Sequence, residues 1–393
     1  MPDPIASAQL PERIGLNLLY LVPGAVGGSE IFARELIHQL GAQLPEHELI
    51  AYSVREATDS LKAEGWPANV RVQEVPIDGA NKPLRVFTEM ARLPRIAKRD
   101  GIGLLHSLGN TAPRWGDHAR VVSILDLIFH HHPETFPGPA RLGLELLVPM
   151  GARHADRVIA ISQATKDDLV ETYGVDADTV DVVHLGLGQT QRAAGTSVDE
   201  LRRELELGDR PVVLCVASAL AHKNIPRLFE AFARRFADAP DAPVLVVVGH
   251  AGLEQDNLRA LADSLGISDR VRFTGWIEQD DLEGLYAAAE IFVYPTLREG
   301  FGLPVLEAME RGVPVACSNT TSLPEVAGDA AELFDPTDVG AIGSAIARIL
   351  ESREVRDSLI ARGHAQAARF TWQRSATETI ESYRAAIRAR NAS

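Results

Sequence analysis

The sequence predicts an α/β protein of two Rossmann-like domains, each built on a doubly wound parallel sheet. Three observations lead to this prediction. At 393 residues, the chain exceeds the roughly 250 to 300 residues at which one core stops growing. Short apolar runs alternate with amphipathic segments throughout, as in strand-helix-strand units. The alternation breaks at residues 186–199, where Gly, Gln, Thr and Ser replace the apolar pattern, and this stretch is the expected linker.

The apolar runs before the linker predict six strands of an N-terminal sheet. Their predicted bounds are 14–22, 49–54, 103–106, 120–125, 157–161 and 179–183. A glycine-rich loop at 24–30 leads from the first strand into a helix predicted over 31–40. The loop does not meet the G-x-G-x-x-G spacing, so a ligand loop and a bare tight turn both stay open.

A second series of six strands follows the linker and ends in a helix. The predicted strands are 211–217, 243–248, 270–274, 290–294, 313–316 and 331–334. Residues 371–390 carry apolar side chains at spacings of three and four, which predicts a helix. No strand follows it in the sequence, so this helix is expected to cap a sheet or to span the two domains.

Composition restricts the kinds of ligand and compartment. The net charge of -15 argues against a protein that grips nucleic-acid phosphates, since that requires a broad basic surface. Cys215 and Cys317 lie in or beside predicted buried strands and form no disulfide framework, which fits a reducing compartment. Residues 1–11 resemble a loose tail rather than a signal peptide, and no apolar run reaches the length of a membrane helix. We therefore expect a cytoplasmic protein.

One basic run stands out against this acidic background. Arg92, Arg95, Lys98 and Arg99 fall on one predicted helical stretch. Such a run is often a solvated helix face, and the alternative is peripheral contact with an anionic membrane or acceptor.

The strongest motif is REGFGLPVLE at residues 298–307, between the apolar run 291–294 and a helix predicted over 305–311. Pro304 suits the first helical turn, and the two glycines allow close approach of the backbone to a ligand. Free amides at a helix start bind anions, while Glu299 and Glu307, with seven residues between them, can accept hydrogen bonds from hydroxyls. A nucleotide sugar carries both phosphates and hydroxyls. The alternative makes both glutamates ordinary surface charges.

A second motif, AHKNIP at residues 221–226, follows the first strand of the second series. Lys223 precedes the positive end of a helix predicted over 226–236, and Asn224 is expected to cap that helix. The motif is a candidate phosphate clamp. A single lysine before a helix is also common, so a solvated lysine is the alternative.

Two further patterns could suggest a metal site but do so weakly. Asp176 and Asp178 imitate Asp-x-Asp, yet they lie in a predicted turn before a strand. His130, His131 and His132 follow a strand without a helical His-x3-His spacing or a cysteine. No metal site is predicted.

These residues resemble those of the large family of retaining glycosyltransferases of the GT-B fold, the branch that contains many bacterial mannosyl- and glucosyltransferases. The resemblance covers nearly the whole chain, from the loop 27–30 through 273–276 and 323–326 to the final helix. Its specific part is the segment from Glu299 to Glu307, which matches the Glu-x7-Glu signature of the family.

The resemblance implies a role for each matched residue. Glu307 would hold the donor ribose, Glu299 the hydroxyls of the transferred sugar, and Lys223 the departing diphosphate, without a metal or other cofactor. The full set expected to bind the donor is Gly28, Ser218, His222, Lys223, Trp276, Ile277, Glu299, Gly300, Phe301, Gly302, Leu303 and Glu307.

The sequence departs from the family at two positions. An arginine often precedes the family lysine, but residues 218–221 contain none, so His222 or helix amides are expected to share the charge. The strand at 121–125 commonly ends in His-Asp, whereas here it ends in Leu125 and Asp126. Asp126 is therefore a candidate catalytic residue with Lys223 and Glu299, and one histidine of 130–132 is a candidate replacement.

The resemblance implies a retaining hexosyltransferase with residues 1–190 as acceptor-side domain, 191–370 as nucleotide-sugar domain and 371–393 as a helix packing back on the first domain. The donor would be a nucleotide sugar such as GDP-mannose or UDP-glucose, and the acceptor a glycan, lipid or small molecule. A sugar-nucleotide isomerase and a non-catalytic sugar-nucleotide-binding subunit are the alternatives on the same fold.

Overall fold

The structure is a computed structural model that describes residues 9–24, 27–136, 138–188, 195–236, 239, 241–250 and 255–392. The chain divides into two compact units. The first contains Met1–His131, Phe136–Gly188 and Phe370–Ser393, and the second contains His132–Thr135 and Gln189–Arg369. Each unit is therefore discontinuous in sequence, with three segments in the first and two in the second.

The first unit is a seven-stranded parallel sheet of order β3-β2-β1-β4-β5-β6-β7. Its strands are β1 Arg13–Leu18, β2 Glu48–Ser53, β3 Val70–Glu74, β4 Leu104–Ser107, β5 Ala119–Ile124, β6 Arg157–Ala160 and β7 Val180–Val182. Its helices are α1 Gly28–Gln43, α2 Arg55–Lys62, α3 Lys82–Phe87, α4 Leu93–Arg99, α5 Ile128–His131, α6 Pro139–His154 and α7 Gln163–Tyr173, with a π-helical turn, Thr88–Arg92, between α3 and α4.

The second unit is a six-stranded parallel sheet of order β10-β9-β8-β11-β12-β13. Its strands are β8 Val212–Val216, β9 Val244–Val248, β10 Val271–Gly275, β11 Ile291–Tyr294, β12 Val315–Ser318 and β13 Ala331–Phe334. Its helices are α8 Val198–Glu204, α9 Ile225–Phe236, α10 Gln255–Ser264, α11 Gln279–Ala288, α12 Leu303–Glu310, α13 Leu323–Ala327, α14 Val339–Glu351 and α15 Arg353–Ala367.

The final helix, α16 (Trp372–Ala392), belongs to the first unit. It packs against α1, β5 and β6. The buried hydroxyl of Tyr383 lies 2.8 Å from Nδ1 of His106, whose Nε2 lies 2.8 Å from Ser123 Oγ. Burial lowers the pKa of His106 to about 3, so this internal network is uncharged at neutral pH.

The predicted fold class, two doubly wound parallel sheets with helices, is confirmed. Among the described residues no helix has the length and apolar content needed to span a bilayer. Several element bounds were wrong. The predicted first strand continued to residue 22, but Leu21 N bonds back to Leu18 O, because the chain turns while its side chains stay buried. The predicted linker ended too late, since its last residues, 198 and 199, already belong to α8, which Ser197 caps.

Candidate functional site

The candidate site lies at the point of the second sheet where the chain changes direction. Strands β8 and β11 are paired neighbours, yet the chain leaves β8 toward β9 on one side and leaves β11 toward β12 on the other. The loops after the two strands therefore diverge and leave a crevice at the carboxyl edge, where open α/β sheets bind their ligands. These two loops contain the two strongest motifs of the sequence.

A lysine and a glutamate from the two loops meet across this edge. Lys223 Nζ lies 2.6 Å from Glu299 Oε1 and 3.1 Å from the hydroxyl of Tyr294, which ends β11. The side chains of Lys223 and Glu299 are only 15% and 10% exposed. Burial and the nearby Glu299 raise the pKa of Tyr294, so its phenol stays protonated. The site thus joins a cation suited to phosphate with a carboxylate suited to hydroxyls.

Asn224 fixes the position of Lys223 relative to β11. It adopts a left-handed conformation after the 3-10 turn Ala221–Lys223, and its side-chain Nδ2 donates to the carbonyls of Pro295 and Pro336 at 2.9 and 2.8 Å. The prediction that its side chain caps α9 was wrong, because Oδ1, the atom that would accept a helix amide, accepts from the Arg227 side chain instead.

The loop that contains Glu299 is held by residues after β12. Thr321 Oγ1 accepts a hydrogen bond from the Glu299 amide at 3.1 Å. The fully buried Ser322 hydroxyl donates toward the carbonyls of Glu299 and Phe301, at 3.1 and 2.7 Å. Sequence reasoning missed both positioning residues. The only signal was a polar cluster, residues 319–322, shortly after the strand predicted over 313–316.

Gly302 gives the entry into α12 its shape. Its φ is 111°, and a Cβ built there would lie 2.5 Å from Leu323 Cδ2. A side chain at this position would therefore be strained both by its backbone conformation and by its neighbour. Pro304 occupies the first turn of the helix, as predicted. The sharp turn directs the amino end of α12, with its partial positive charge, toward the carboxyl edge of the sheet.

We expect Gly302→Ala to lower the free energy of unfolding by about 1 to 3 kcal/mol, since the backbone must relax or stay strained. Urea denaturation measures the change. Gly143→Ala is the matched control, because Gly143 lies within α6 with no heavy atom within 4 Å of a built Cβ. That control should leave stability unchanged or raise it. Equal stability of both variants would contradict the strain at Gly302.

Glu307 lies on α12, partly buried against α11. The Tyr286 hydroxyl donates to its Oε2 at 3.2 Å, and Arg311 donates to its backbone carbonyl at 2.9 Å while pairing with Glu283. Burial raises the pKa of Glu307, and Arg311 and the Tyr286 hydrogen bond oppose this rise. The Tyr286 hydroxyl thus orients the Glu307 carboxylate, which is a hydrogen-bond acceptor about one turn into α12.

His222 contributes a neutral group beside Lys223. It is 3% exposed, its Nδ1 lies 3.3 Å from Thr135 Oγ1, and its ring lies 5.9 Å from that of His132. Burial, together with Lys223 and His132, lowers the pKa of His222 to about 3. Because His222 is neutral, it can form a hydrogen bond with a phosphate. It cannot add positive charge to that of Lys223, as its position in the sequence had suggested. The segment His132–Thr135 is a neighbour that sequence reasoning did not connect with His222.

Of the other predicted donor residues in this unit, Gly300, Phe301 and Leu303 belong to the turn into α12, and the rest lie at the ends of β8 and β10. Ser218 follows β8. Gly249, which follows β9, approaches this segment closely, because a Cβ built on it would lie 2.4 Å from the carbonyl oxygen of Ala217. Trp276, 60% exposed after β10, stacks on His250 with ring centroids 6.5 Å apart. Ile277 is partly buried beside it. These residues form a row along one sheet edge with Lys223.

Two predicted residues lie in the first unit. Gly28 begins α1 after β1, and the loop before it includes residues 25 and 26, which lie outside the described residues. Asp126 follows β5, and its Oδ1 accepts the amide of Ile128 at 2.9 Å at the start of α5. The aspartate therefore has a structural contact in addition to its proposed role.

Each histidine of the predicted cluster lies next to a carboxylate. His130 Nδ1 lies 3.0 Å from Glu145, His131 Nε2 2.7 Å from Asp168, and His132 Nδ1 2.9 Å from Glu134. His132 alone of the three belongs to the second unit. Within the described ranges no three His, Cys, Asp or Glu side chains are grouped to hold a metal ion.

Comparisons with known proteins match both units. The model for Glycosyl transferases group 1 matches residues 197–366, and the model for Glycosyltransferase Family 4 matches residues 26–188. O-antigen chain mannosyltransferase B of Escherichia coli is 33% identical over 266 residues, which are 67% of this chain and 70% of that protein. Serotype-specific mannosyltransferase WbdA of E. coli is also 33% identical, over 234 residues, but these are only 29% of its length and 58% of this chain.

The fold also matches solved structures. The crystal structure of Anabaena HepE in complex with UDP-glucose superposes with a TM-score of 0.72 at 22% identity, covering 94% of this chain and 99% of that chain. At this identity the likeness concerns the fold.

Proposed function

The chain belongs to the GT-B glycosyltransferases, and on that premise we propose that it is a retaining hexosyltransferase that uses a nucleotide-sugar donor. The observation that carries the proposal is the contact between Lys223 and Glu299 at the carboxyl edge of β8 and β11. There a phosphate-binding cation and a hydroxyl-binding carboxylate lie 2.6 Å apart. A nucleotide sugar presents both kinds of group within one molecule.

The proposed reaction breaks the bond between the anomeric carbon and the diphosphate and forms one to an acceptor hydroxyl, which loses its proton. Negative charge develops on the diphosphate, so fixed donors there stabilise the transition state most. Lys223 and the start of α12 supply that field, and neutral His222 supplies a hydrogen bond. Glu299 would orient the hydroxyls of the sugar. Asp126 remains a proposed acceptor of a hydroxyl hydrogen bond in the first unit.

The donor is proposed to be GDP-mannose or UDP-glucose. The mannosyltransferase names of two relatives favour mannose, and the UDP-glucose complex of a structural neighbour keeps the second donor open. A glycan is the first acceptor to test, since one relative acts by name on an O-antigen chain, with lipids and small molecules next. Nothing in the relatives' names favours a sugar-nucleotide isomerase or a non-catalytic subunit.

A thermal-shift panel of UDP, GDP, ADP and TDP sugars tests the donor. A ligand at about 100 times its Kd stabilises the folded state by about 2.7 kcal/mol, which raises the melting temperature measurably. We expect one nucleotide series to stand out. A product assay without acceptor then separates the classes, because an isomerase would convert the donor alone. No shift with any donor would contradict the proposal.

Glu307→Gln should weaken nucleotide binding roughly tenfold while leaving the fold intact, since an uncharged amide is a poorer acceptor for ribose hydroxyls. Calorimetry with the best nucleotide measures the affinity. Glu310→Gln, at the end of α12 with 40% of its side chain exposed, is the control and should bind as the wild type does. Unchanged affinity of Glu307→Gln would rule out the ribose role.

Activity should survive EDTA, because Lys223 and helix amides are proposed to meet the phosphate charge without a metal. The assay compares initial rates with and without chelator. Complete loss that Mg²⁺ or Mn²⁺ restores would overturn this part of the proposal. The carboxylates of Asp176 and Asp178 would then be tested first.

A further inference from the structure

An exposed surface of the first unit combines aromatic and basic side chains. Phe87 and Trp115 are 54% and 40% exposed, which is unusual for such large apolar groups. The guanidinium of Arg92 lies 5.5 Å from the centre of the Phe87 ring, and that of Arg95 lies 5.0 Å from Trp115. We call these four residues the aromatic-basic surface.

The local sequence explains why these side chains share one face. The π-helical turn between α3 and α4 bonds residues five apart, which brings Arg92 onto Phe87. Pro94 has no N–H to offer the Met90 carbonyl four residues earlier. The indole Nε1 of Trp115 donates to that carbonyl at 3.0 Å. The helix irregularity therefore holds the tryptophan on the face that carries the arginines.

The charge around this surface is strongly positive. Residues 82–117 contain seven Lys or Arg and three Asp or Glu, in a chain whose net charge is -15. The three acidic side chains neutralise part of this charge and leave an excess of four positive charges, and the two acidic ion pairs involve Arg99 and Lys98 rather than Arg92 or Arg95. Glu89 is buried, Asp100 lies 3.1 Å from Arg99, and Asp117 lies 2.6 Å from Lys98.

We propose that the aromatic-basic surface docks the protein on an anionic phospholipid bilayer. Arginines near such a bilayer gain energy from its negative surface potential, and Trp and Phe rings settle at the level of the headgroups. A single-stranded nucleic acid would instead need open ring faces on which bases stack, and a guanidinium lies over a face of each ring here. This inference is independent of the proposed transfer reaction.

Vesicle co-sedimentation tests the proposal with the full chain. The purified protein is mixed with vesicles of phosphatidylcholine alone or with phosphatidylglycerol added, at low and high salt. We expect binding only to the anionic vesicles, and weaker binding at high salt because the attraction is screened. The variant Arg92→Glu with Arg95→Glu should bind at least about tenfold more weakly. Phe87→Ser should also weaken binding, without a change in charge.

The matched control reverses two exposed arginines elsewhere, Arg353→Glu with Arg374→Glu, and changes the net charge equally. It should bind the vesicles almost as the wild type does. Equal loss in both double variants would show a nonspecific charge effect and overturn the proposal. Absence of vesicle binding by the wild type, or binding to heparin but not to vesicles, would overturn it as well.

Discussion

Replacing Lys223 with alanine is expected to lower kcat roughly 100-fold to 1000-fold and to change donor affinity less. The reason is that charge on the diphosphate grows in the transition state, where the ammonium acts most strongly. The side chain is 15% exposed, so little water screens it. Steady-state kinetics with the donor identified by thermal shift measures both parameters.

Two comparisons separate this effect from damage to the fold. Lys62→Ala, on the exposed face of α2, removes the same charge from the surface of the first unit and should keep full activity. Tyr294→Phe removes the hydroxyl that lies 3.1 Å from Nζ but keeps the ring, and it should cost far less than loss of the ammonium. Lys223→Arg is not expected to restore the rate, since a planar fork differs from a point charge. Wild-type kcat in Lys223→Ala would refute the role.

Glu299→Gln should reduce kcat/KM for the nucleotide sugar about 10-fold to 100-fold, since one charged hydrogen-bond acceptor of the sugar becomes neutral. The structure adds a second, opposite expectation. Glu299 contacts Lys223 at 2.6 Å and thus competes with a diphosphate for the same ammonium. The free nucleoside diphosphate should therefore bind Glu299→Gln as tightly as the wild type or more tightly.

Calorimetry with the nucleoside diphosphate and kinetics with the sugar nucleotide distinguish these effects. Lys223→Ala should weaken binding of the diphosphate, whereas Glu299→Gln should not. Glu354→Gln, an exposed carboxylate in the first turn of α15, is the control for loss of one negative charge. If Glu299→Gln lost affinity for the sugar-free diphosphate, the carboxylate would be holding the loop and not the sugar.

The fold could be predicted because its strands are buried on both faces and form nearly continuous apolar runs. The strand that escaped prediction, β3, is one of the two edge strands of its sheet, and every one of its residues is at least partly exposed. Its sequence, VRVQE, is mostly polar. The predicted strand at 313–316 lay two residues early, because Val313 N bonds to Ala308 O and Pro314 has no N–H for the ladder.

The site could be predicted only within single loops. Glu299, Gly302 and Pro304 are close in sequence, so their spacing predicted a strand-to-helix turn. The contact of Lys223 with Glu299 spans 76 residues and depends on β8 and β11 being neighbours. The order of strands in a sheet does not follow from local patterns. The same limit hid the support from Ser322 and the neighbours of His222.

The most direct test of the proposed function follows the sugar released when water replaces the unidentified acceptor. Both proposed donors carry their hexose as the α anomer. Time-resolved proton NMR of slow donor hydrolysis should therefore show α-hexose first, formed faster by the wild type than by Lys223→Ala. The β anomer as first product would contradict retention of configuration. Release at the same rate from the wild type and Lys223→Ala would contradict catalysis at the contact between Lys223 and Glu299.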